Sequence, residues 1–96
     1  MAKAYWITCY RAVKDPAKLA DYARLGAPAI EAGGGRFLAR AAAVQAYEEG
    51  LKERTVVIEF PTLEHALAVY DSPGYRAALA ALGNGAVRDV RIVPGV

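Results

Sequence analysis

The chain has 96 residues, with 12 lysines and arginines against 10 aspartates and glutamates, a formal net charge of +2. Hydrophobic residues make up 55 % of the chain and charged residues 23 %, which excludes a disordered protein and predicts a single domain over residues 1–96. The small net charge disfavours nucleic acid or an anionic membrane as a partner, and the single cysteine excludes a disulfide framework.

The first half of the chain predicts a strand followed by a helix. Lys3–Ala12 is rich in aromatic and β-branched residues and contains no glycine or proline, which favours a strand. Asp15-Pro16 predicts a helix start, because aspartate caps free backbone N–H groups and proline at the first helical position loses no hydrogen bond. Pro28 predicts a kink or a break into two pieces, and Gly33–Gly35 predicts the end of the helix.

The second half predicts two more strands, a helical region and a last strand. Arg36–Arg40 is typical of a strand that continues irregularly to Tyr47, and β-branched residues make Arg54–Phe60 the clearest strand of the chain. A helix follows Thr62, and Ser72-Pro73 repeats the cap-and-proline signal and starts a second helical piece. Ala86–Val93 is the predicted final strand.

The resulting order, β-α-β-β-α-β, is the ferredoxin-like α+β arrangement, a four-stranded antiparallel sheet with its helices on one face. Such a sheet normally alternates apolar and polar residues, but here both faces are apolar. In the first strand Tyr5, Ile7 and Cys9 point one way, and the three residues Trp6, Thr8 and Tyr10 point the other way. Because one set of helices covers only one face, we expect a homodimer in which a second copy covers the other.

Four short stretches occur in the order found in a known family. They are Ala4–Ile7, Gly34–Arg40, Val57–Pro61 and Tyr70–Tyr75. Together they resemble the small bacterial family called domain of unknown function 1330, over essentially the whole chain. The resemblance implies a dimeric α+β barrel, with two sheets face to face and helices outside. It implies no particular reaction, although related families include cofactor-free monooxygenases, haem-degrading enzymes and small isomerases, which often place ligands between the sheet and the helices of one subunit.

The chain departs from that family at two places. Many members carry a histidine or another ring side chain just before the Gly-Gly-Arg motif, where this chain has Gly33. The small residues after the second strand's arginine are often glycines, where this chain has Ala41 and Ala42. The first departure removes an acid–base candidate from that position.

Glu59 and Arg40 are the candidate catalytic residues. A carboxylate among the apolar residues of the third strand is expensive to bury unless it is paired or protonated, so Glu59 is a candidate general base with a raised pKa. The alternative is an ion pair between Glu59 and an arginine of the neighbouring strand, Arg36 or Arg40. These two arginines alternate with other residues and are expected on one side of the strand, where either suits a carboxylate.

Four aromatic residues are candidates for the wall of a flat, apolar ligand pocket, with phenol hydroxyls fixing the orientation of the ligand. They are Trp6, Tyr10, Tyr70 and Tyr75. The alternative for each is a place in the core or in an interface. His65, in the first turn of the second helical region, is either an acid–base group or a solvent-facing helix residue.

Other function classes fit the sequence less well. The third strand lacks the basic-glycine-aromatic pattern of an RNA-recognition module, and one histidine with scattered carboxylates predicts no metal site. No signal peptide or membrane span is recognisable, so we expect a cytoplasmic protein. We also expect no bound cofactor. Two hypotheses remain for a homodimer that binds a small organic molecule: a cofactor-free enzyme, monooxygenase- or isomerase-like, or a non-catalytic ligand-binding or structural dimer.

Overall fold

The computed structural model describes residues 2–96 and contains the predicted succession of strands and helices. The elements are β1 (Ala4–Val13), α1 (Pro16–Ala32), β2 (Arg36–Ala42), β3 (Arg54–Phe60), α2 (Leu63–Asp71), α3 (Pro73–Leu82) and β4 (Ala86–Pro94). The strands form one antiparallel sheet in the order β2-β3-β1-β4, which confirms the ferredoxin-like α+β fold. None of the helices among these residues has the length and apolar character needed to cross a membrane.

The helix starts are fixed by the predicted caps. The Asp15 carboxylate accepts hydrogen bonds from the backbone N–H groups of Ala17 and Lys18, at 3.1 and 3.2 Å. The hydroxyl of Ser72 accepts from the backbone N–H of Tyr75 at 3.3 Å, so α2 ends and α3 begins at that serine. The second helical region is therefore two helices, as the repeated cap signal predicted.

Of the kink or break predicted at Pro28, the break does not occur, because α1 runs without interruption from Pro16 to Ala32. Pro28 and Arg24, whose carbonyl would accept the missing bond, are both exposed. Water can therefore satisfy that carbonyl, while the buried Gly26 and Ile30 hold the same helix against the rest of the fold.

The sheet has an inner face, covered by the helices, and an outer face. On the inner face the side chains of β1 and β3 are buried; they are Ala4, Trp6, Thr8, Tyr10, Val56, Ile58 and Phe60. They pack against Ile30, Ala66, Val69 and Tyr75 of the helices. On the outer face the residues of these strands stay partly or fully exposed, in agreement with the predicted division of β1.

Strand β2 differs from its prediction in two ways. It ends at Ala42, so that residues 43–53 form an irregular connection to β3 instead of an extension to Tyr47. Its register against β3 also shifts at Leu38, where Phe37 is paired with Ile58 but Ala39 with Val57. This β-bulge inserts one residue and reverses the alternation of side chains beyond it. Arg36 therefore lies on the outer face and Arg40 on the inner face, and the expectation that they share a side is wrong.

Candidate functional site

A cleft lies between α1 and the inner face of the sheet. It is narrow, with a cavity volume of about 30 Å³ inside its open mouth. Its walls are mostly apolar, since Leu19, Ala23 and Ile30 of α1 face Phe37, Val56 and Ile58 of the sheet. Gly26 and Ala27 complete the helix side. The arrangement is typical of a small-molecule site, in which apolar walls surround a few polar groups.

The polar groups of the cleft are three arginines, two tyrosines and a threonine. They are Arg40, Arg54, Arg88, Tyr10, Tyr22 and Thr8. No residue with a side-chain carboxylate, imidazole or thiol lines the cleft within the described part of the chain. The groups present can therefore bind and polarise an acceptor, but none of them is a base that ionises near neutral pH.

Arg88 is held in place by the aromatic residues around it. Its guanidinium carbon lies 4.6 Å from the ring centre of Tyr22 and 5.7 Å from that of Tyr10, and its Nη2 donates to the Tyr75 hydroxyl at 3.5 Å. Burial alone would lower the pKa of Arg88, but the phenol oxygens of Tyr22 and Tyr75 outweigh it and raise that pKa above its usual value. The guanidinium at the back of the cleft is therefore charged.

Tyr75 belongs to the core behind the cleft. Its hydroxyl lies 2.7 Å from that of Tyr22, and its side chain is fully buried. Burial, together with the neighbouring Tyr22 hydroxyl, raises the pKa of Tyr75 well above its usual value. Tyr75 therefore stays protonated and acts as a fixed hydrogen-bonding group that connects Arg88 to Tyr22.

The structure divides the four candidate pocket aromatics. Tyr10 lines the cleft. The other three form an aromatic cluster in which Trp6 of β1 contacts Tyr70 of α2 and Tyr75 of α3. The Trp6 ring centre lies 5.5 Å from that of Tyr70 and 5.0 Å from that of Tyr75, and its indole N–H donates to Thr8. These three residues therefore lie in or against the core, which was the alternative to a place in the wall of the pocket.

The structure does not bring the two candidate catalytic residues together. Arg40 lines the cleft, with its guanidinium 4.2 Å from the Phe37 ring centre, whereas Glu59 lies on the outer face. The Glu59 carboxylate contacts Lys3 at 3.3 Å and Arg36 at 3.6 Å, and it accepts a hydrogen bond from the Tyr5 hydroxyl at 3.2 Å. Arg36 and Arg40 were the two arginines expected as partners of Glu59, and in the structure Arg36 forms the ion pair.

Other candidate groups lie away from the cleft. His65 is exposed at the start of α2, where its Nδ1 lies 2.7 Å from the Thr62 hydroxyl. Residues 2–96 contain no group of three or more metal-ligating side chains close enough to hold an ion. A second, open concavity lies on the outer face between Cys9 and the connection that contains Leu51.

Sequence reasoning missed Phe37, Arg54 and Arg88, which line the cleft. For the last two a signal was present. Arg54 stands two residues before the buried Val56, and Arg88 stands two residues before Val90, so each arginine shares a strand face with apolar residues. An arginine on the apolar side of a predicted strand marks a cleft or a buried pair.

Comparison with known proteins agrees with the fold and the resemblance. Residues 3–96 match the family described as domain of unknown function, DUF1330. The chain belongs to the DUF1330 family. Among curated proteins, none matches the sequence.

Solved structures of similar fold include proteins with different descriptions. RPA0582, a protein of unknown function from Rhodopseudomonas palustris, has a TM-score of 0.77 and 15 % identity, over 99 % of this chain and 83 % of its own. SnoaB, a cofactor-independent oxygenase from Streptomyces nogalater, has a TM-score of 0.65 and 13 % identity, over 96 % and 91 %. A candidate antibiotic biosynthesis monooxygenase from Caulobacter crescentus has a TM-score of 0.61 and 19 % identity, over 99 % and 90 %. At these identities the likeness shows a shared fold alone.

Proposed function

We propose that this DUF1330 protein binds a small organic molecule in the cleft between α1 and the sheet. The observation that carries the proposal is the cleft itself, a narrow opening whose apolar walls surround three arginines that face into it. The small residues Ala23, Gly26 and Ala27 form part of its helix side.

A ligand screen with two matched variants tests the proposal. A library of small metabolites is screened by thermal shift, since a ligand that binds the native state raises its melting temperature. Ala23→Leu places a larger side chain in the cleft, and Ala20→Leu places the same side chain on the exposed side of the same helix. We expect compounds whose binding falls at least tenfold in Ala23→Leu and is unchanged in Ala20→Leu. Equal binding by both variants, or no binding compound, would contradict the proposal.

We also propose that two copies pair through the outer faces of their sheets. Ile7 and Val57 are register partners in the middle of that face, and no helix of the same chain covers them. Opposite charges flank this apolar strip, with Glu59 beside Arg36 at one end and Asp89 beside Arg91 at the other. A second copy would bury the strip and leave the charged ends at its rim, which is the usual anatomy of an interface.

The mass in solution tests the dimer. Sedimentation at micromolar concentration should give twice 10.2 kDa, and Ile7→Lys should give the monomer. Leu67→Lys, at an exposed position of α2, is the matched control and should remain a dimer. Cys9 supplies an independent measurement, because it is exposed on the outer face and its reaction with a thiol reagent should be slower in the dimer than in Ile7→Lys. A wild-type monomer would refute the pairing.

A second candidate function is cofactor-free turnover of the bound molecule, as a monooxygenase- or isomerase-like enzyme. It is favoured by the arginines and the Tyr22 hydroxyl in the cleft, which would stabilise an enolate or phenolate. SnoaB, which shares the fold, is described as a cofactor-independent oxygenase. The compounds found in the screen are incubated with the protein in air and analysed by mass and by NMR. An unchanged compound in every case would leave the non-catalytic binding protein as the function.

A further inference from the structure

The arginines of the protein fall into two groups. Five of the eight lie within 3.9 Å of a carboxylate oxygen; they are Arg11, Arg24, Arg36, Arg76 and Arg91. The other three, Arg40, Arg54 and Arg88, have no such carboxylate among residues 2–96, and all three line the cleft. The arginines without an ion pair thus collect at one place in the molecule.

Two of these three arginines also have buried atoms without a partner. The Nε of Arg54 and the Nη1 of Arg88 are shielded from solvent and make no hydrogen bond within the described chain. Buried polar groups are nearly always paired, because a guanidinium N–H without an acceptor keeps the full penalty of its desolvation. Arg54 and Arg88 are therefore the two cleft arginines whose guanidinium groups are short of hydrogen-bond acceptors.

The register of the sheet places these two arginines on either side of Tyr10. Arg88 of β4 is the partner of Tyr10, and Arg54 directly precedes Thr55, the partner of Cys9 in β1. Neighbouring strands are about 4.8 Å apart, so the two arginine backbones flank Tyr10 at roughly 10 Å from each other. Arg40 lies in the next row, opposite Val56. The three guanidinium groups therefore approach the cleft from three strands, β2, β3 and β4.

We infer that the ligand of the cleft is an organic oxyanion, with a flat apolar body and one carboxylate or phosphate group held by Arg54 and Arg88. The apolar walls fit the body, and planar guanidinium groups fit the two oxygens of a carboxylate or those of a phosphate. The inference rests on the proposed function, because it specifies the charge of the molecule that the cleft binds.

The test compares matched pairs of probes that differ in charge. Benzoate and 1-naphthoate are titrated against their amides, with phenyl phosphate and acetate as further arms, while the backbone signals of Ala23 and Gly26 are followed by NMR. We expect the aromatic carboxylates or phenyl phosphate to shift these signals and to bind at least tenfold more tightly than the amides and acetate. The affinity should fall as salt is added. The tighter of the two charged arms identifies carboxylate or phosphate as the group recognised.

Variants of the arginines give the second half of the test. Arg54→Met should weaken binding of the charged probe at least tenfold and leave the melting temperature of the free protein unchanged or higher, because it removes a buried group without a partner. Arg24→Met, at an exposed, paired arginine of α1, is the control and should bind normally. Arg88→Met should also lose binding. If Arg88→Met fails to fold, Arg54→Met still tests the inference.

Three results would overturn the inference. Amides that bind as tightly as the acids would leave cleft binding intact and exclude the charge requirement, so that only the inference fails. Acetate that binds as tightly as benzoate would show that the ligand needs no apolar body. If neither acids nor amides move the Ala23 and Gly26 signals, the inference fails, and the screen with Ala23→Leu decides separately whether the cleft binds anything.

Discussion

The hydroxyl oxygens of Tyr22 and Tyr75 lie 2.7 Å apart and connect α1 to α3 at the back of the cleft. Arg88 donates to the same Tyr75 oxygen at 3.5 Å, so one chain of polar groups runs from the core to the cleft. The Tyr75 side chain is fully buried, whereas Tyr22 is partly exposed. Removing the Tyr75 hydroxyl and removing the Tyr22 hydroxyl should therefore have different effects on stability.

Removing the Tyr75 hydroxyl should destabilise the protein more than removing that of Tyr22. Tyr75→Phe takes the acceptor from Arg88 and the partner from Tyr22, and we expect a loss of about 1–3 kcal/mol in the free energy of unfolding. Tyr22→Phe leaves Tyr75 bound to Arg88 and should cost about 1 kcal/mol. Urea denaturation measures both, and the double variant gives their coupling. Additive losses would show that the hydrogen bond contributes no stability.

The raised pKa of Tyr75 predicts a loss of stability at high pH. In the unfolded chain this phenol ionises near pH 10.0, but in the folded protein it stays protonated to higher pH. The stabilisation is therefore complete below pH 10 and is lost as the pH rises toward the folded pKa, at about 1.4 kcal/mol per pH unit. The difference in unfolding free energy between wild type and Tyr75→Phe should shrink between pH 10 and 11. A constant difference would contradict the prediction.

Glu59→Gln should affect neither ligand binding nor stability strongly. Glu59 lies on the face of the sheet opposite the cleft, and its cationic partners Lys3 and Arg36 are 57 % and 73 % exposed. The Glu59 side chain itself is only 15 % exposed, but ion pairs with exposed cations contribute little, so we expect a loss of less than about 1 kcal/mol in the free energy of unfolding. The affinity of any cleft ligand should stay within a factor of two, and Arg40→Met should reduce it. A tenfold fall in affinity or turnover in Glu59→Gln alone would instead support Glu59 as the general base.

The fold could be predicted because its signals are local. Asp15-Pro16 and Ser72-Pro73 mark helix starts by themselves, and the β-branched residues of Arg54–Phe60 define a strand without reference to any neighbour. Even the two-sided apolar pattern of β1 follows from alternation alone, which assigned Ile7 to one face and Trp6 to the other.

The site could be predicted only in part, because it depends on register and on which helix covers which strand. The bulge at Leu38 changes the face on which Arg40 lies, and nothing in Arg36–Ala42 marks that extra residue. Tyr22 reaches the cleft through the packing of α1 on the sheet, which no spacing along the chain encodes. The faces of Glu59 and Arg54, by contrast, follow from alternation with the buried Val56 and Ile58.

Gly33 should tolerate no side chain in this protein without adjustment. Its φ of −86° suits any residue, but an added Cβ would clash with Cγ2 of Val69. Gly33→Ala should therefore destabilise the protein by about 1–3 kcal/mol through overpacking, and the added change Val69→Ala should recover part of the loss. Gly26→Ala is the control, because its Cβ would meet the nearest atom, on Tyr22, at 3.5 Å, and it should be neutral or slightly stabilising. Thermal unfolding of the three variants measures this, and a neutral Gly33→Ala would mean that α2 moves freely relative to α1.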